Sequence, residues 1–433
     1  MKDPALKGAG PRALPEAADR PHAALQFRDF RLYQGARLVS VLSSEMIAVA
    51  VGWQVYAITH RALSLGYVGL AQVLPSFLLC LVAGHAVDRF DRRRVLLWVQ
   101  GGYALVAGLL FYTSVTHNTW VGAIYALMAV QGVVRAFGSP AGQALMPELV
   151  PAEHFANAVT WGSSVFMMAT IVGPGLGGLM YGWTGGAAWV YAAATIAYLT
   201  ALSLTAAIKT RTGRMEPKAA TLETLLAGFR YVRENQIILG TISLDLFAVL
   251  LGGAVALLPI FASNILHIGV RGLGLLRAAP SAGAMIMAVT LAFHPLRRKA
   301  GKLMLTAVAL FGAATIGFGL SRNLELSLGL LVIMGAADMV SVVVRNTLVQ
   351  LQTPPHMRGR VSAINSLFIG SSNQLGEFES GLTAQWWGAV PATVLGGIGT
   401  LVVVAGWWRG FPALRRVESL QGPPALEPAS KRP

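Results

Sequence analysis

Long uninterrupted apolar stretches alternate with short clusters of charge along this chain. Apolar spans fall at 31–59, 65–87, 95–115, 120–138, 155–182 and 187–208, and a second set at 237–262, 272–293, 303–320, 326–351, 361–385 and 390–408. Each is about 18 residues or longer, the length that crosses ~30 Å of hydrocarbon at 1.5 Å per helical residue. The pattern predicts an all-α membrane protein of twelve transmembrane helices in two pseudo-symmetric six-helix bundles. The bundles, 31–208 and 237–408, are flanked by polar tails at 1–30 and 409–433 and joined by a connector at 209–236. Within the connector Leu222, Leu225, Leu226 and Phe229 recur at helical spacing, with Arg230 and Arg233 on the other side. That spacing predicts an amphipathic helix on the membrane face.

Composition sharpens this. Only 12% of the 433 residues are charged, about half the share of a soluble protein. The 48 glycines would weaken soluble helices, but in lipid they let helices approach closely. A single cysteine, Cys80, rules out a disulfide framework or a cysteine metal site. The first 30 residues lack a short apolar core with a cleavage site, so they read as a polar tail rather than a signal peptide.

Charge placement predicts orientation. Of 34 Lys and Arg, 27 fall in the two tails, the connector and the loops after helices two, eight and ten. Only Arg61, Arg271 and Arg322 occupy the opposite loops, and Arg37, Arg135, Arg277 and Arg345 lie inside helices. By the positive-inside rule both termini are cytoplasmic, which in a bacterium means a multi-pass protein of the inner membrane. The same asymmetry directs the net charge of +15 toward anionic lipid head groups and not toward nucleic acid.

Two motifs carry more information. Helices two and three are joined by Gly84-x-x-x-Asp88-Arg89-x-Asp91-Arg92-Arg93-Arg94, a glycine, two aspartates and a basic turn. Helix five contains Ala169-x-x-x-Gly173-Pro174-x-x-Gly177-Gly178, in which proline kinks the helix and the glycines admit a neighbour. The first motif resembles the signature loop of the major facilitator superfamily. That resemblance implies a cytoplasmic gate latch formed by Gly84, Asp88, Arg89 and Arg92, with Arg135 of helix four in reach of Asp88. The second resembles a helix-five signature that the superfamily associates with exporters, with Ala169 replacing its first glycine. Gln131 and Gly132 fit a helix-four motif linked to proton coupling, but Met128 stands where that motif has arginine. Further segments, among them 272–280 and 353–361, are similar to the branch of enterobactin (siderophore) exporters and transmembrane secretion effectors.

Charge inside a membrane is costly and marks function by default. Glu45, Asp245, Asp338, Glu377 and Glu379 are the intramembrane carboxylates. Glu45 and Asp245 lie in the first helix of each half and are expected to line a central cavity as pseudo-symmetric partners. Asp338 and Arg345 are seven apart on one helical face, so for Asp338 static pairing and transport chemistry both stay open. Glu377 and Glu379 lie about 200° apart around their helix; Asn373 shares the Glu377 face and makes it the better cavity candidate. A carboxylate that exchanges partners between inward and outward states would bind and release a proton. The histidines sit near helix ends without metal-ligand spacing.

The chain has no phosphate-binding loop and no polar segment long enough for a catalytic domain, so it is not expected to be an enzyme. No cofactor or metal is expected. The residues and the resemblance together imply a monomeric secondary transporter exporting an amphipathic small molecule (siderophore, metabolite or drug) against protons. An uptake symporter or uniporter, and a non-transporting sensor on the same scaffold, are the alternatives.

Overall fold

A computed structural model of the chain describes residues 22–210, 229–294, 299–354 and 357–418. Six long helices make the first half: α1 Arg28–Thr59, α2 Ala62–Arg89, α3 Arg92–Val115, α4 Val121–Leu145, α5 Phe155–Thr184 and α6 Ala188–Ala206. The second half holds α7 Gln236–Leu251, α8 Gly269–Phe293, α9 Ala300–Leu320, α10 Leu324–Gln352, α11 Arg358–Trp387 and α12 Ala389–Gly410. Among the described residues eleven helices are long and apolar enough to cross a membrane. The remaining one, α11, is 30 residues long and packs against α2, α7 and α12. Helices satisfy every backbone group within one segment, which hydrocarbon demands.

Within the first half α1 packs on α5 and α6, α2 on α4, and α3 on α4 and α6. The second half repeats the scheme with α7 on α11 and α12, α8 on α10, and α9 on α10 and α12. The halves meet through α2 with α11 and α5 with α8. Both described chain ends lie at the same end of the bundle, called here the terminal end; the other is the far end. At the far end His60, His117 and His267 turn the chain with φ near +50°.

Helix seven departs from a continuous span. After α7 the chain loosens at Gly252 and Gly253, continues as the 3₁₀ turn Ala254–Leu257, then Leu258–Ile260, and ends in the π-helical stretch Phe261–Ile265. Gly376 of α11 presses against this break: a Cβ there would lie 2.8 Å from the Val249 carbonyl oxygen. Of the connector, Leu222, Leu225 and Leu226 lie outside the described residues. Residues 229–234 are helical, with Phe229, Arg230 and Arg233 exposed and Val232 buried against Ile238, Val349 and Ile364.

Small residues set how closely helices approach. A Cβ at Gly132 of α4 would come within 2.9 Å of the Gln72 carbonyl carbon and 3.1 Å of its Cα on α2. Ser76 fixes the same crossing by donating to the Gly132 carbonyl at 2.6 Å. A Cβ at Gly101 of α3 meets nothing within 4 Å. Gly132→Ala is therefore expected to cost about 1–3 kcal/mol by overpacking, while Gly101→Ala is neutral or gains up to about 1 kcal/mol. Melting of both variants in detergent checks the contrast; equal midpoints would contradict it.

Candidate functional site

Between the halves lies a cavity of about 340 Å³ whose polar lining is contributed by α1 (Ser44, Glu45), α2 (Gln72), α4 (Arg135), α8 (Arg277, Ser281) and α11 (Gln374, Glu377). Val255, Ala256 and Pro259, just past the helix-seven break, complete one wall. Glu45 stands near the middle of the 32-residue α1, where α5 carries glycine: a Cβ at Gly173 would lie 2.7 Å from the Glu45 Cβ. Glu377 rests against α2 in the same manner, with its Oε2 2.7 Å from where a Cβ on Gly69 would be. Each carboxylate is thus seated by a glycine of a neighbouring helix.

Both carboxylates lie within the electrostatic reach of Arg277 and Arg135, and Glu45 also senses Glu377. Among the described residues no ion pair within 4 Å joins Arg277 to either carboxylate. The Nε of Arg277 is buried without a hydrogen-bond partner. Two acids and two bases thus line one cavity, which has room for water or a ligand.

Asp245 is elsewhere. It forms a buried ion pair with Arg345 of α10, and Asp338 lines the same small gap with Ser341. The expected partnership of Glu45 and Asp245 across one cavity is not what the structure brings together. Asp245 comes only ten residues into α7, on the terminal side of the helix break, and its side chain turns toward α10. Glu377 faces the cavity and Glu379 does not. The polar neighbour of Glu377 there is Gln374, one residue beyond the expected Asn373. Arg277 and Gln72 were not singled out from sequence as site residues; Arg277 was visible as one of four intramembrane arginines and within the 272–280 segment.

The cavity is sealed toward the far end by three helix pairs. In α5 with α8, a Cβ at Gly178 would meet the Val270 carbonyl oxygen at 2.7 Å and the Gly274 Cα at 2.9 Å, and Arg271 donates to the Gly182 carbonyl at 3.0 Å. In α2 with α11, a Cβ at Gly381 would lie 2.9 Å from the Gly66 Cα. In α1 with the end of helix seven, Asn264 donates to the Tyr56 hydroxyl at 2.7 Å. The helix-five motif is central to this seal: Gly173 and Gly177 face α1 at Glu45 and Met46, Gly178 faces α8, and the Pro174 carbonyl lies against Gly274.

At the terminal end the described hydrogen bonds stay within one half. Arg92 pairs with Glu148, just past α4, and donates to the Ala144 carbonyl at 3.2 Å. Arg93 donates to the Ala206 carbonyl at 2.5 Å, the C-terminal end of α6, where helix carbonyls attract cations. Asp91 caps α3 by accepting from the Arg93 amide at 2.9 Å. Arg89 is exposed and Gly84 has open space around it; the Asp88 side chain lies outside the described positions. Met128 is buried and accepts from the Gln72 amide at 3.3 Å. Among the described residues no cluster of His, Cys, Asp or Glu is able to hold a metal.

The sequence pattern of the transmembrane secretion effector family matches residues 20–426. The enterobactin exporter EntS of Citrobacter koseri is 29% identical over 377 residues, covering 86% of each chain. The EntS of Shigella boydii serotype 18 is 30% identical over 378 residues, again covering 86% of each. Among solved structures, the nucleoside transporter NupG superposes with a TM-score of 0.67 at 14% identity, covering 90% of this chain and 99% of NupG. A bacterial homologue of the iron transporter ferroportin, in an inward-facing state, gives 0.65 at 17% identity, with 89% and 99% covered. These structural likenesses bear on the fold alone.

Two outcomes follow for stability and gating. Arg345→Met leaves Asp245 buried without its partner and is expected to cost about 3–5 kcal/mol. Adding Asp245→Asn should recover most of that loss in a thermal melt, and no recovery would contradict the pairing. Gly178→Val is expected to push α5 and α8 apart at the far end. Spin labels on those two helix ends should report a longer distance than in the parent protein, and an unchanged distance would contradict the seal.

Proposed function

The chain belongs to the transmembrane secretion effector family of the major facilitator superfamily, and from that premise we propose that it is a proton-coupled exporter working by alternating access. The observation that carries this reading is the central cavity: two carboxylates and two guanidiniums from both halves, closed at one end of the bundle and, among the described residues, without cross-half hydrogen bonds at the other. The terminal end carries most of the basic residues, so the positive-inside rule places it in the cytoplasm of a bacterium whose inner membrane the protein spans. In that orientation the structure is inward-facing, the state that accepts cargo for export.

The halves 31–208 and 237–408 act as the two bodies that rock about the cavity, the usual geometry for sites placed between repeats. Polar donor groups of the substrate bind Glu45 and Glu377 and keep them ionised. Closing the terminal end and opening the far end then exposes the carboxylates to protons from outside, which compete for the same oxygens and release the substrate. Return of the protonated carboxylates to the cytoplasmic side completes exchange of substrate for protons. Arg135 and Arg277 balance Glu45 and Glu377 while these are ionised, so the cavity is close to neutral when it receives substrate. The substrate is a small polar or amphipathic molecule; the similarity to enterobactin exporters points to siderophores. One chain contains the whole cavity, so a monomer suffices.

The test is proton movement in liposomes holding purified protein and a pH-sensitive dye, challenged with a panel of siderophores and drugs. Substrate addition is expected to drive protons across the membrane, and Glu45→Gln to abolish that movement while retaining substrate binding. Silence across a panel that still binds, or wild-type proton flux in Glu45→Gln, would overturn the proposal.

A further inference from the structure

Each half of the bundle brings one acid and one base to the central cavity. Glu45 of α1 and Arg135 of α4 belong to the first half, Arg277 of α8 and Glu377 of α11 to the second. With the halves moving as bodies, Arg135 travels with Glu45 and Arg277 with Glu377. The separations that change are those across the halves, chiefly Glu45 to Arg277 and Arg135 to Glu377. These two are not equivalent, because Arg277 acts more strongly on each carboxylate than Arg135 does. Arg277 is also incompletely held within its own half: its Nε is buried without a hydrogen-bond partner.

Its place on α8 ties this side chain to the far-end seal. Arg277 follows Gly274 at i+3, so the two share a face of the helix. Gly274 is where α8 touches α5: a Cβ there would lie 2.6 Å from the Pro174 carbonyl oxygen and 3.2 Å from the Gly178 Cα. On the α5 side Gly173, next to Pro174, seats Glu45. One helix crossing therefore sets the spacing of Glu45 and Arg277. A motion that parts Gly274 from Gly178 carries Arg277 away from Glu45 and leaves its relation to Glu377 intact.

The other titratable groups that act with Glu45 are Arg135, Glu377 and Tyr198 of α6. Arg135 and Tyr198 lie in the first half and move with Glu45. The second half contributes Arg277 and Glu377, of which Arg277 acts the more strongly. Its withdrawal leaves Glu45 in a less positive field, and a less positive field favours the protonated carboxyl.

We infer that Arg277 is a positioning residue that ties protonation of Glu45 to the far-end seal. It shares the cavity with Glu45 while α5 and α8 are in contact, favouring the ionised carboxylate that receives substrate, and leaves it when they part, so that Glu45 takes its proton from the far side. The inference rests on reading the cavity as the place where substrate and protons exchange.

Reaction of Glu45 with dicyclohexylcarbodiimide, which modifies protonated carboxyls, reports its protonation without any substrate. The labelled peptide is followed by mass spectrometry across a pH series on purified protein in detergent. Arg277→Gln is expected to move the half-labelling pH of Glu45 upward by about one unit, and Arg277→Lys to restore most of it. Gly178→Val, which retains Arg277, should move it upward as well and carries the test if Arg277→Gln does not fold. The double variant should show no more than the larger single shift, because both changes remove one interaction. An unchanged half-labelling pH in either folded variant, additive shifts in the double, or a Glu45 that never takes the label would overturn the inference. Wild-type substrate-driven proton flux in Arg277→Gln would remove the role of Arg277 and leave the exporter reading. Arg277-dependent labelling in a protein that moves no protons with any substrate would do the reverse.

Discussion

A carboxylate or guanidinium at mid-membrane depth costs several kcal/mol unless water or an opposite charge reaches it. This protein meets that constraint in two ways. Asp245 and Arg345 are buried together as an ion pair inside the second half, although the Arg345 Nε has no hydrogen-bond partner among the described residues. Glu45, Glu377, Arg135 and Arg277 instead line a shared cavity, which gives them access to solvent or a ligand. The first arrangement is static; the second works only while the cavity is open to solvent or filled by a ligand. Opening one end of the bundle is therefore part of what makes the central charges tolerable, and the geometry of the helix crossings decides which end that is.

Those crossings depend on residues without side chains. Where α5 meets α8 and α2 meets α11, glycines on both partners bring backbones to contact distance and leave no passage. Glycine also seats the two central carboxylates, Gly173 beside Glu45 and Gly69 beside Glu377. The helix-five motif thus joins two jobs in one stretch: Gly173 shapes the site and Gly178 shapes the seal, five residues apart. A movement that separates Gly178 from Gly274 is transmitted along α5 to the wall behind Glu45. That linkage gives the proposed coupling between gate and site a physical path.

Much of this was legible in the sequence, because hydrocarbon thickness fixes helix length and lipid contact fixes composition. Eleven spans met both conditions; α11 did so less clearly because it carries Asn373, Gln374, Glu377 and Glu379, of which Gln374 and Glu377 line the cavity. Glu45 and Glu377 were readable as buried charges. Their arrangement was not, because depth along a helix says nothing about rotation around it. The expected pairing of Glu45 with Asp245 failed for that reason, and Gln374 lines the cavity beside Glu377 where Asn373 was expected. Helix seven illustrates a different limit: Gly252 and Gly253 stand in an apolar run that reads as continuous, and the break follows from the close approach of Gly376. Arg92 was expected at a gate, but its partner Glu148 belongs to a segment distant in sequence, and only packing of α4 on α3 brings them together.

Alternating access requires a charged cavity that faces one side of the membrane at a time. Ser44, which lines that cavity beside Glu45, offers a reporter when changed to cysteine in a Cys80→Ala background. The direct measurement is labelling of Ser44→Cys by a membrane-impermeant maleimide in vesicles of each orientation, without substrate. Labelling from the side of the termini alone is the predicted result. Labelling from the far side alone, or equally from both, would contradict the account.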